Sequence, residues 1–155
     1  MEDKKMKRVV GLFLGLAIVA AGGMVMATDK EKTLYPAVMS KEDIAGEIFN
    51  RPEMKKKEHD SGNTTLSVTS LSSSDKKFYT GMYKSEREYE EYKDDETYGV
   101  DEFMYFLEGS VKLTSADGTV HVIKAGDAVT IPKEWKGIWD SDGYTKIWVI
   151  YSDDE

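Results

Sequence analysis

The chain contains no cysteine, so it can form no disulfide, no thiolate metal site and no cysteine nucleophile. Nor is there a cysteine to carry the lipid of an acylated anchor. Histidine is nearly as scarce. His59 and His121 are the two in 155 residues, and a three-histidine metal site within one chain is excluded by count. Positive charge is in the minority, with 21 Lys and Arg against 29 Asp and Glu. Without residues 1–27 the balance is 17 against 27, a net −10. A body that acidic repels phosphate backbones and anionic lipid surfaces, so nucleic acid is not an expected partner.

One long uncharged run is present. Lys4, Lys5, Lys7 and Arg8 precede the stretch from Val9 to Ala27, which ends in Val25-Met26-Ala27. A basic start, an apolar middle and small residues at the end make residues 1–27 a secretory signal peptide, and the destination periplasmic or secreted. After cleavage no membrane association is expected. Were the run uncleaved, its 19 residues would sit at the short end of what spans a bilayer.

Residues 28–63 form a leader with one short helix. Ser40 has the N-cap position and Asp43 the capping-box position three residues on. Ile44, Ala45, Ile48 and Phe49 then share a helical face until Pro52 stops it. Lys55-Lys56-Lys57-Glu58 reads as a solvated segment. From Thr64 the period changes to two. Strands are predicted at Thr65–Leu71, Phe78–Lys84, Arg87–Lys93, Glu102–Leu107, Ser110–Thr114, Thr119–Ile123, Ala128–Ile131, Gly137–Trp139 and Lys146–Tyr151. Gly109 is read as a tight reversal, Ala116-Asp117-Gly118 as a hairpin and Gly126 as the next turn. Many short strands punctuated by Gly and Asp mean an all-β sandwich or barrel over residues 64–155.

Two spacings carry a resemblance. Glu102 is followed after six residues by Gly109, and Gly126 after five by Pro132. With Phe78-Tyr79-Thr80-Gly81-Met82-Tyr83, Trp135-Lys136-Gly137-Ile138-Trp139 and Lys146-Ile147-Trp148-Val149-Ile150-Tyr151, they resemble the cupin superfamily over about residues 64–152. The resemblance is to the subgroup of the ureidoglycine aminohydrolase cupin domain and the ethanolamine-utilisation cupin. It implies a jelly-roll barrel, and commonly a homodimer. It also implies a metal site that this chain departs from. Where two histidines would precede Glu102 stands Asp94-Asp95-Glu96-Thr97-Tyr98-Gly99-Val100, and the third histidine's position is Gly137. Glu102 alone matches. One carboxylate does not hold a borderline metal against water, so no cofactor is expected. The narrow alternative is an oxygen site for Mg²⁺, Ca²⁺ or Mn²⁺, with Asp95 or Glu96 joining Glu102.

Glu102 shares a strand face with Met104 and Phe106, and an inward carboxylate needs a partner. Lys146, in parity with Trp148 and Ile150, is the candidate. The pair is either structural or an acid/base couple. Tyr83, Met104, Trp135, Trp139 and Trp148, with Tyr105, are candidates to line an aromatic pocket; the alternative is that they simply fill the core. Three functions follow. The first is an exported, metal-independent small-molecule-binding barrel. The second is a hydrolase or isomerase on a small metabolite, using Glu102 with Lys146 or an oxygen-ligated metal. The third is a barrel that works through its surfaces alone. Both faces of Glu102–Leu107 are apolar, so the N-terminal helix and a second subunit are expected to cover the outer one.

Overall fold

The computed structural model describes residues 34–153. The signal-peptide segment lies outside them. The elements are α1 (Lys41–Ile44), a 3₁₀ turn (Glu47–Asn50), β1 (Lys55–Glu58), β2 (Thr64–Ser72), β3 (Phe78–Ser85), β4 (Glu88–Tyr92), β5 (Asp101–Ser115), β6 (Val120–Lys124), β7 (Ala128–Ile131) and β8 (Gly137–Tyr151). All pairing is antiparallel, in the order β1-β2-β3-β8-β5-β6, with β4 added to β8 and β7 to β5. This is the all-β fold that the strand pattern implies, in the jelly-roll form that the resemblance implies.

Two pairs of predicted short strands are in fact single long ones. Glu102–Leu107 and Ser110–Thr114 are halves of β5; Gly137–Trp139 and Lys146–Tyr151 are ends of β8. β5 and β8 stay paired from Asp101↔Tyr151 to Ser115↔Gly137, with irregularities between Phe106 and Glu108 and between Ser110 and Lys112. Gly109 therefore makes no reversal. Its φ of +71° lies within the strand, and a Cβ there would collide with the Gly143 carbonyl. The bulges also exchange the faces. Glu102, Met104 and Phe106 are buried before them, and the odd-numbered Val111 and Leu113 after.

The two sides of the sheet have separate apolar clusters. Inside lie Met104, Phe106, Val111, Leu113, Ile131, Trp139, Tyr144 and Trp148. Outside, Ile48, Val68 and Met82 pack with Ile44, Leu107 and Ile147. The N-terminal segment thus covers part of the outer face, as its apolar spacing implies. It is not one helix. The capping box forms, with Asp43 N donating to Ser40 Oγ at 3.1 Å and Ser40 N to Asp43 Oδ2 at 2.8 Å. Gly46, at φ +119°, then breaks the helix into one α turn and one 3₁₀ turn, which seats Ile48. The Lys55–Glu58 segment is an exposed strand paired with β2, not merely a solvated stretch. Further along β5 the outer side is bare: Phe103, Tyr105, Phe78 and Tyr151 are exposed.

Candidate functional site: an ion pair in an aromatic wall

Period-two geometry delivers Glu102 from β5 and Lys146 from β8 into the interior, where each is about as buried as the neighbouring core, at 5% and 6% exposure. Lys146 stands opposite Phe106 on β5 and Tyr83 on β3, whereas Glu102 stands opposite Ile150. The lysine stem must therefore run along β5 past Met104. Its Nζ donates to Glu102 Oε1 at 2.8 Å and meets Met104 Sδ at 3.0 Å. Three rings surround the same ammonium, with centroids at 5.2 Å (Trp139), 5.6 Å (Tyr83) and 5.8 Å (Tyr144). Rings at such distances attract a cation through their quadrupoles, more strongly where water is excluded.

The second oxygen of Glu102 is also engaged. Tyr98 donates its hydroxyl to Oε2. The 93–100 loop is held for this by backbone bonds from Tyr98 N to the Trp135 carbonyl and Gly99 N to the Lys133 carbonyl, both 2.9 Å. Tyr144 makes the matching bond to Glu88 Oε2 on β4 at 2.7 Å. Burial pushes the Tyr98 and Tyr144 hydroxyls well above the usual tyrosine range, and the adjacent carboxylates, Glu102 and Glu88, push them further. Burial and then the Glu88 charge raise Tyr83. All three are neutral at physiological pH, and Tyr98 and Tyr144 are donors.

Of the residues singled out in the sequence, Glu102, Lys146, Met104, Tyr83 and Trp139 come together. Trp148 packs in the same core over Gly81, where a Cβ would come within 2.6 Å of its ring. Trp135 stands apart from the ammonium, edge-on to Tyr98 and tilted against Tyr92, with Nε1 donating to Ser115 Oγ at 3.1 Å. Tyr105 is on the outer face and lines nothing inside. Lys146 lies mid-strand in β8 rather than opening a strand. Tyr98, Tyr144 and Glu88 escaped the sequence reading. Tyr144 shares the parity of Lys146, a usable signal, but Tyr98 sits in a loop without periodicity. Trp139 Nε1 is buried and has no partner among the described residues.

These residues do not fit a cupin metal. The cation against Glu102 is already Lys146. A side chain at Gly137 has no room, since a Cβ there would come within 2.6 Å of the Trp135 ring. Asp95 and Glu96 are exposed, and among the described residues no three of His, Cys, Asp or Glu converge. His121 is exposed on β6, and His59 Nε2 lies 3.1 Å from Thr65 Oγ1. Two surface depressions, of about 540 and 300 Å³, lie elsewhere, the first by Asp117 and Lys136, the second by Arg87 and Asp140.

A jelly-roll barrel that keeps the acidic position at Glu102, pairs it with Lys146 and has no histidine at the other ligand positions describes a cupin without the usual histidine set. Residues 75–146 match the family described as the EutQ-like cupin domain, and this stretch is a cupin domain of that type. Among solved structures it is similar to the EutQ protein of Clostridium difficile, at 19% identity and TM-score 0.51, over 66% of this chain and 79% of that one. It is also similar to a DUF861-family protein of unknown function from Pseudomonas syringae pv. tomato, at 16% identity and TM-score 0.55, over 63% of this chain and 43% of that one. At these identities the likeness is one of fold. No curated protein matches.

Proposed function

We propose that this cupin is an exported, metal-independent binding module for a small metabolite, with its site at the Glu102–Lys146 pair. The observation that carries the reading is the completeness of that pair. Both carboxylate oxygens and the ammonium are engaged by groups from β5, β8, β3 and the 93–100 loop, inside an aromatic wall. A pair kept only for stability is often no better than an apolar replacement of equal volume, so stability alone does not account for it. The couple is a poor acid/base catalyst in this conformation, because each charge is spent on the other. We further propose that a second copy covers the bare outer face around Phe103 and Tyr105, and that the mature chain begins at Thr28.

A second reading has one observation in its favour. Met104, Phe106 and Trp148 fill the interior, as they would in a barrel that works through its surfaces alone. Thermal-shift screening against cationic, anionic and neutral metabolites decides between them. The binding reading expects a saturable shift in the wild type that Glu102→Gln abolishes. Silence across all three classes supports the surface reading.

A further inference from the structure

Of the described basic residues only Lys146 is buried, and its surroundings are more than an ion pair requires. One carboxylate would balance its charge. Instead the ammonium meets Glu102 and Met104 from β5, Trp139 and Tyr144 from β8, and Tyr83 from β3. A carboxylate, a thioether and three rings around one point form the kind of wall that recognises a free organic cation. None of it depends on the lysine for its chemistry, so the wall persists when the lysine side chain is removed. A second carboxylate, Glu88, reaches the same wall through the Tyr144 hydroxyl at 2.7 Å. The negative charge here exceeds what Lys146 neutralises.

We infer that the barrel interior is a cation cage in which Lys146 is the tethered occupant, and that its complementary ligand class is the small primary ammonium ion. This rests on the binding-module reading and adds the chemistry of the ligand. Propylammonium has the shape and charge of the lysine side chain beyond Cβ, the part that Lys146→Ala removes. In the wild type it must displace Lys146, and its apparent affinity falls by the fraction of molecules in which the lysine is out. Lys146→Ala removes that competition and leaves Glu102 without its cation.

The test compares wild type and Lys146→Ala by thermal shift and calorimetry against propylammonium, propanol and propionate at fixed ionic strength and pH 7. Propylammonium is expected to stabilise Lys146→Ala saturably and to bind it at least about tenfold more tightly than the wild type. Propanol and propionate should not match it, and the response should vanish when Glu102→Gln is added. An equal response to propanol, or none in a folded Lys146→Ala, overturns the inference. If the wild type responds to anionic or neutral metabolites but the variant ignores amines, the cage is wrong and the binding-module reading stands. A wild type silent to every class beside an amine-responsive variant removes the binding-module reading and with it the ligand class, and leaves the wall as the seat of Lys146 alone. Should Lys146→Ala fail to fold, the wild type supplies the decision by NMR. The Lys146 Hε signals are expected upfield, shifted by the three rings, with Nζ protons protected from exchange. Random-coil positions for those signals overturn the inference.

Discussion

Removing two charges from water costs several kcal/mol per ion, and the attraction between Glu102 and Lys146 offsets that cost only while both are present. Glu102→Gln or Lys146→Met alone should therefore lower the unfolding free energy by about 3–5 kcal/mol. The double change Glu102→Gln/Lys146→Met should cost far less than the sum. Urea unfolding of the four proteins measures this, and strictly additive losses would mean the pair is not coupled. The tyrosines allow a second check. Burial raises Tyr83, Tyr92, Tyr98 and Tyr144 above the ordinary value near ~10. A group whose folded pKa is raised adds stability that is full below its unfolded pKa and is lost as pH climbs toward the folded one. Stability should thus decline above pH ~10, and phenolate absorbance should show these four silent until unfolding. The pair itself was legible in the sequence, because strand parity puts Glu102, Lys146 and Trp148 on inward faces. Tyr98 was not. Its place depends on backbone bonds to the 133–135 segment, which no local pattern encodes.

At the scale of elements, the length of β5 and β8 decides the site, since only long paired strands bring Lys146 alongside Glu102. The sequence suggested four shorter strands, because Glu108-Gly109 looks like a turn. A glycine at positive φ serves a hairpin and a bulge equally well, and which one forms depends on the Gly143–Tyr144 backbone opposite. Gly109→Ala should be strongly destabilising, from strain and from collision with that backbone, and should lower the melting temperature well beyond a surface change such as Lys124→Ala. The capping box at Ser40 was legible, whereas the break at Gly46 was not, because Ala45-Gly46-Glu47 sits inside a good helical period. Ile48 is fully buried beneath this segment. Ile48→Ala should cost about 2–5 kcal/mol by chemical denaturation. Ser40→Ala should cost about 1 kcal/mol. A larger loss at Ser40 than at Ile48 would contradict the account of this segment as an apolar cover.

For the whole molecule, an acidic body and a bare apolar face pull in opposite directions: charge disfavours association and the face favours it. If the proposed second copy covers that face, light scattering should give twice the mass of residues 28–155, and Phe103→Lys with Tyr105→Glu should give monomers that stay folded. A monomeric wild type would leave the face to another partner. N-terminal sequencing of the exported protein should begin at Thr28. The most direct test of the central claim, that Glu102 is paired with Lys146 rather than with a metal, is a thermal-shift titration of the purified protein with Mn²⁺, Zn²⁺, Fe²⁺ and Ca²⁺ beside Glu102→Gln. The account predicts no saturable stabilisation in the wild type by any of them. Saturable stabilisation that Glu102→Gln abolishes would contradict it.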